Sequence, residues 1–290
     1  MKNEIISVPA GSGAGRSIGA LLIDAGKLRP EDAEAILRLA REKNLRFGDA
    51  AIELGLITRA DIDFALSRQF DYPYLLAGES KVSEEVVAAY DPFSPQVEAL
   101  RALRAQLMLR WFDHDAARTA LAIVSASRGE GRSYIAANLA VVFSQLGERT
   151  LLIDADLRHA RQHELFGMEN RVGLTAILSG RAGLDAIHRI PGLLGLSVLP
   201  AGTLPPNPQE LLARAAFAQL LDQLAANYDV VLLDSPPAAE TADAQTLAVR
   251  AGAALVVVRK NSSRTWRVRG ISDSVAQAKA TIVGAVLNDF

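Results

Sequence analysis

Three short segments of this 290-residue chain set glycines, carboxylates and a hydroxyl just after apolar runs. Ser125-Ala126-Ser127-Arg128-Gly129-Glu130-Gly131-Arg132-Ser133 follows the run 120–124, Asp154 and Asp156 follow 151–153, and Asp234 follows 230–233. A glycine loop between a strand and a helix aims backbone N–H groups at phosphate oxygens, and the helix N-terminus adds positive potential. Ser133 and carboxylates at neighbouring strand ends would supply the hard oxygens that Mg²⁺ takes beside a nucleotide. Each segment alone has a plain structural reading, a tight turn for the glycines or a helix cap for an aspartate. Neither reading explains three anionic and phosphate-cradling elements that each follow a strand.

The loop departs from the pattern G-x-x-x-x-G-K-[ST] at two places. Ala126 stands where the first glycine is expected and Arg132 where the lysine is expected. The alanine is mild because Gly129 and Gly131 remain. The arginine keeps the charge but changes its shape, from a compact ammonium to a planar fork that prefers bidentate partners. Nucleotide binding is therefore a firmer expectation than fast phosphoryl transfer.

Such loops work only at the C-terminal edge of a parallel sheet. Strands are expected near 120–124, 150–153, 196–199, 230–233, 254–258 and 282–287, giving an α/β, P-loop, Rossmann-like and mostly parallel sheet with flanking helices. A net charge of −2 argues against nucleic-acid binding. The absence of cysteine removes disulfide and thiol chemistry and suits the cytoplasm. The polar, glycine-rich start to Ser17 lacks the apolar centre of a signal peptide. No apolar run reaches the ~18 residues of a membrane span, so any membrane role is expected to come through a partner.

A small helical domain is expected ahead of the sheet, at 14–75. Ile18-Gly19, Gly26, Leu28, Ala33, Ile36 and Leu37 recur 29 residues later as Phe47-Gly48, Gly55, Ile57, Ile62, Ala65 and Leu66. Each copy reads as helix, glycine-containing stop, helix, with Pro30 at an N1 position and Thr58 as an N-cap followed by Asp61. Two copies are too few for a solenoid. The mixed charge, Pro and Ser of 76–93 read as a linker to a third segment, 94–290. Ser94-Pro95 should open a helix to about Trp111, whose Glu98, Arg101 and Arg104 read by themselves as a solvated face with one local ion pair.

The duplicated unit resembles the N-terminal domain of type II secretion and pilus ATPases, some of which bind cyclic di-GMP. Arg46-Phe47-Gly48, Gly55-Leu56 and Gln69 match that motif in the second copy. In the first copy Arg16 falls one place early and Ala40 replaces the glutamine. The resemblance implies a cyclic di-GMP site at Arg46, Gly48, Gly55 and Gln69; a protein-docking module with glycine helix stops is the plainer alternative.

Residues 94–290 closely resemble the bacterial tyrosine kinases of capsule and exopolysaccharide export. The match runs from Glu98-x-x-Arg101-x-x-Arg104 through the loop at 125–133 and Asp154-Ala155-Asp156-Leu157-Arg158. It continues over Pro205-Pro206-Asn207-Pro208-Gln209-Glu210, Asp234-Ser235-Pro236-Pro237 and Gly284-Ala285-Val286-Leu287-Asn288. The helical domain ahead and the loop arginine point to the EpsG-like branch linked to polysaccharide chain-length determinants.

The resemblance implies ATP and Mg²⁺ as cofactors. ATP is then expected at Ser127, Arg128, Gly129, Glu130, Gly131, Arg132, Ser133, Tyr134 and Asn288. Metal is expected at Ser133, Asp154 and Asp234, and catalysis at Asp154, Asp156 and Asp234. Glu98, Arg101 and Arg104 become an oligomer interface, and the expected partner is a membrane chain-length determinant, a polysaccharide co-polymerase, that recruits a cytoplasmic kinase to the inner membrane. The family's C-terminal tyrosine cluster has no counterpart: the five tyrosines are Tyr72, Tyr74, Tyr90, Tyr134 and Tyr228. Tyr72, Tyr74 and Tyr90 are the expected self-targets. Two alternatives stay open, a nucleotide-binding scaffold with little transfer and a MinD/ParA-like ATPase. Ser127, where that group carries a second lysine, weighs against the last.

Overall fold

The computed structural model describes residues 17–69, 73–76, 78–114 and 118–290. Arg16 and Tyr72 lie outside the described residues. The chain divides into two units, Met1–Pro73 and Tyr74–Phe290.

The first unit holds α1 (Ile18–Asp24), α2 (Asp32–Lys43), α3 (Phe47–Glu53) and α4 (Arg59–Gln69). α1 packs on α4 and α2 on α3, so each copy of the repeat lends its first helix to the other's second. Leu22, Ile36, Ala50, Ala51 and Ala65 fill the seam. Gly48 permits the close approach there, because a Cβ at that position would stand 2.5 Å from Ile62 Cδ1. Thr58 and Asp61 cap α4 reciprocally: Thr58 N–H donates to Asp61 Oδ2 at 2.9 Å and Asp61 N–H to Thr58 Oγ1 at 3.3 Å. Pro30 lies ahead of α2 rather than at N1, because Arg29 and Pro30 first form a turn in which Asp32 N–H bonds Arg29 O.

The second unit runs α5 (Val87–Tyr90), α6 (Pro95–Arg110), β1 (Ala120–Ser125), α7 (Arg132–Gln145), β2 (Thr150–Asp154), α8 (Gln162–Leu165), α9 (Leu174–Leu178) and β3 (His188–Arg189). It continues with β4 (Leu196–Leu199), α10 (Pro208–Ala213), α11 (Ala215–Ala225), β5 (Val230–Asp234), α12 (Asp243–Ala251), β6 (Ala253–Arg259), α13 (Thr265–Gln277) and β7 (Thr281–Asn288). The sheet order is β3-β4-β2-β5-β1-β6-β7, parallel throughout except where β3 meets β4. Period-two alternation sends Leu121 and Ile123 of β1 to one face and Ala120, Ala122 and Val124 to the other, so both faces bury core. The six expected strands are present. β3 carries no apolar run, which is why the sequence did not announce it.

The stretch read as a linker is not a free one. Val82, Val86, Ala88 and Ala89 are buried in the same core as α7. Buried Asn138 accepts from Ala88 N–H at 2.9 Å and donates to Glu85 O at 3.1 Å, while Gln145 donates to Ala88 O at 2.9 Å. The charges and serines of this stretch face outward and mask the apolar positions between them. No helix among the described residues is long and apolar enough to cross a membrane.

Candidate nucleotide and metal site

The site assembles where β1, β5 and β2 lie side by side. Parallel register pairs Asp154 with Asp234, and Ile123, two residues before Ser125, with Asp234. The three segments singled out in the sequence therefore end together at one sheet edge. Between β1 and α7, Gly131 holds φ 87°, a left-handed conformation open to glycine, and any side chain there would strike the Asn288 amide. Asn288 Nδ2 donates to Glu130 O at 3.3 Å, which ties the end of β7 to the loop.

A cavity of about 290 Å³ opens above this edge, lined by Arg128 to Ser133, Asp156, His159, Arg161 and Pro237. Glu130 braces the loop from inside: Ser127 N–H donates to its Oε2 at 2.7 Å and the Ser263 hydroxyl donates to its Oε1. Ser127 thus directs its N–H into the loop, and its hydroxyl accepts from Arg267 at 3.0 Å. Tyr134 does not line the cavity; its ring packs on the core beneath α5. Burial, and then the nearby Glu85 carboxylate, push its phenol above the ordinary value.

Beneath the loop the carboxylates divide the work. Asp154 is fully buried, its Oδ2 accepting Arg161 N–H and Gln162 N–H, each at 2.9 Å, and its Oδ1 accepting Asp156 N–H at 3.3 Å. Asp156 accepts His159 N–H on Oδ1 at 3.0 Å and Arg132 Nη2 on Oδ2 at 3.2 Å. Asp234 accepts Arg132 Nε at 3.3 Å and Gln162 Nε2 at 2.7 Å, and the Ser133 side chain bonds it as well. Burial, and secondarily Asp234, push the Asp154 carboxyl well above its usual range. Burial raises Asp234 too, against the pull of Arg132, Gln162 and Ser133. Arg132, 8 % exposed, turns inward onto this cluster and also donates to Ser125 Oγ at 2.8 Å.

Among the described residues no three His, Cys, Asp or Glu side chains form a ready-made metal cluster. That suits Mg²⁺, which is usually held through one or two carboxylates, waters and substrate phosphates. Ser133 and Asp234 supply such donors. Gln162, whose amide bonds Asp234 and Ser133 O, has no exposed surface and leaves its Oε1 a buried acceptor with no hydrogen-bond partner, a polar group that a hydrated cation beside them could satisfy. The residues therefore fit the ion. Gln162, Ser263 and Asn138 were missed in the sequence; Gln162 follows Asp156 closely, but no spacing rule singles it out.

The other expected sites are more scattered. Glu98 pairs with Arg101 on α6 at 3.1 Å, whereas Arg104 Nη1 turns inward and donates to Val142 O near the C-terminus of α7 at 2.6 Å. In the helical unit Arg46 is exposed, Gly48 is buried against Ile62, Gly55 sits in the turn between α3 and α4, and Gln69 ends α4. The buried Gly48 thus meets α4 rather than an outside ligand. Tyr90 donates its hydroxyl to Val82 O at 2.5 Å.

Residues 119–273 match the family model for the cellulose biosynthesis protein BcsQ. The chain is 35% identical over 209 residues to the tyrosine-protein kinase YwqD of Bacillus subtilis, covering 72% of this chain and 87% of that one. It is 34% identical over 202 residues to the tyrosine-protein kinase etk of Escherichia coli, covering 70% of this chain but 28% of that longer protein. The solved kinase domain of Escherichia coli tyrosine kinase ETK superposes with a TM-score of 0.69 at 32% identity, over 76% of this chain and 85% of that domain.

Proposed function

The chain belongs to the bacterial tyrosine-protein kinases, and from that premise we propose that its α/β unit transfers the γ-phosphoryl group of ATP to a tyrosine hydroxyl. The observation that supports this most is the convergence of Ser133, in the first turn of α7, with Asp156 and Asp234, just after β2 and at the end of β5, at the loop cavity and beneath it. Phosphoryl transfer rests on positioning and charge neutralisation, which such an arrangement can provide.

Loop N–H groups and the N-terminus of α7 would hold the phosphates in line. Ser133 and Asp234 would hold Mg²⁺, which when bound neutralises charge developing on the phosphates. Asp154, with both oxygens on main-chain N–H groups, shapes the turn that carries Asp156. Asp156 lines the cavity and is the carboxylate placed to receive the tyrosine proton as the phenolic oxygen bonds to phosphorus and ADP leaves. With the Tyr90 hydroxyl bonded to Val82 and the Tyr134 ring in the core, transfer to a tyrosine of another chain is favoured over self-transfer at those two positions.

The wider role in exopolysaccharide or capsule export belongs to this reading. It includes recruitment to the inner membrane by a chain-length determinant, assembly into a homo-oligomer through α6, and sensing of cyclic di-GMP or protein docking by the helical unit. Arg132 favours a second reading, a nucleotide-binding scaffold, because its guanidinium already bonds two of the carboxylates. Incubation with labelled ATP and Mg²⁺, counting phosphotyrosine and free phosphate separately, discriminates among them. Label on tyrosine is expected; binding without turnover favours the scaffold, and phosphate release alone an ATPase.

A further inference from the structure

We propose that Arg132 is an internal counter-ion of Asp156 and Asp234 that competes with magnesium at Asp234, and that it leaves the two carboxylates only when metal and triphosphate arrive together. The inference rests on the nucleotide reading of the loop, and concerns what the arginine does there in place of a lysine.

The guanidinium places its three nitrogens on three inward acceptors: Nε on Asp234, Nη1 on Ser125 and Nη2 on Asp156. A planar fork reaches two carboxylates and a hydroxyl from separate nitrogens, whereas an ammonium must gather all its acceptors around one nitrogen. The neighbouring basic side chains are engaged elsewhere, Arg158 with Asp243 and Arg161 with Glu85. Arg132 is thus the cation that meets Asp156 and Asp234 in the resting protein, and buried carboxylates are costly to leave unpaired.

The orphaned Gln162 Oε1 marks what this arrangement lacks. The Gln162 amide donates to Asp234 Oδ2 and to Ser133 O, yet its own oxygen has no partner. A guanidinium on Asp234 neutralises charge but leaves this acceptor unmet, whereas a hydrated cation neutralises and also donates. The cluster therefore has two competing solutions. Arg132 also lines the loop cavity, so phosphates entering there offer it a second set of acceptors and shift the balance towards metal.

The test uses the full chain with Mn²⁺ as the probe for Mg²⁺, bound Mn²⁺ being read by electron paramagnetic resonance with and without a non-hydrolysable ATP analogue. Wild type should bind Mn²⁺ weakly alone and much more tightly with the analogue. Arg132→Lys should bind Mn²⁺ alone roughly tenfold more tightly than wild type, within the usual range of site-to-site coupling. Arg132→Met should melt at a lower temperature in metal-free buffer and regain that loss when Mn²⁺ is added, whereas wild type should not respond to Mn²⁺ alone. Equal or weaker Mn²⁺ binding by Arg132→Lys, with the analogue still bound, would overturn this inference and leave the kinase reading intact. Failure of wild type to bind the analogue under any metal condition would overturn both.

Discussion

In the helical unit the buried side chains described are apolar apart from Ser67, and every described charged residue there keeps some exposure. In the α/β unit Glu130, Arg132, Asp154, Asp156, Asp234 and Asp243 are all buried. Both units use glycines, but Gly48 is there to let helices touch, whereas Gly131 turns a loop that lines a cavity. Burying charge is expensive unless partners compensate, so a fold that buries six charged groups around one sheet edge has paid stability for chemistry. The helical unit has made no such sacrifice, and its surface, not its interior, is where any binding must occur.

The contrast breaks most visibly at Asp234. Asp234→Asn should lower phosphotyrosine formation by roughly two to three orders of magnitude, the scale of losing one preorganised electrostatic group, while nucleotide affinity falls far less. Unchanged label would separate the buried cluster from the chemistry. In the other unit, Gly48→Val should cost about 2 kcal/mol through overpacking against Ile62. Both tryptophans, Trp111 and Trp266, lie in the α/β unit. The loss is therefore expected in a far-ultraviolet circular dichroism transition but not in tryptophan fluorescence.

A smaller effect sharpens the picture of α6. Arg104→Ala should cost about 1.5 kcal/mol, since it removes the charged donor that meets Val142 O in the last turn of α7. Arg101→Ala should cost under about 0.5 kcal/mol in urea denaturation, as an i,i+3 pair with exposed Glu98. If light scattering shows a smaller assembly for Arg101→Ala despite that small cost, the Glu98–Arg101 part of the motif serves subunit contact.

The smallest expected signal is in pH. The folded protein holds the Asp154 carboxyl well above 3.8, so it binds that proton more tightly than the unfolded chain does. The stabilisation is complete below the unfolded value and is lost as pH rises through the folded one. Asparagine has no such dependence. The stability of Asp154→Asn relative to wild type should therefore climb as pH rises above the range of an ordinary carboxyl, and a flat difference in melting temperature would mean the carboxyl is not raised.

Much of the sheet was legible because buried parallel strands are continuous apolar runs, as 230–233 and 151–153 are, and polar residues at their ends mark one edge. The repeat was legible because apolar positions recur with the glycines at Gly26 and Gly55. Less visible were contacts that depend on distance in space rather than spacing in sequence. Nothing around Gln162 reveals that its amide lies between Ser133 and Asp234. Arg132 was recognised as unusual, but its inward turn onto Asp156 and Asp234 follows from where β2 and β5 place those carboxylates. Arg104 shares a motif with Arg101, yet helical rotation sends it to α7. The stretch 76–93 read as linker because charges, serines and a proline are mixed among its apolar residues, although Asn138 and Gln145 fasten its backbone.

The central claim, that the cavity-facing carboxylate of this buried cluster carries tyrosine phosphorylation, is tested most directly by Asp156→Asn. Phosphotyrosine formed from γ-labelled ATP and Mg²⁺ should be compared with wild type at concentrations where both bind equal nucleotide. Wild type should place label on tyrosine and the variant should lose nearly all of it. Equal labelling by the two proteins, or free phosphate without phosphotyrosine from wild type, would contradict the account.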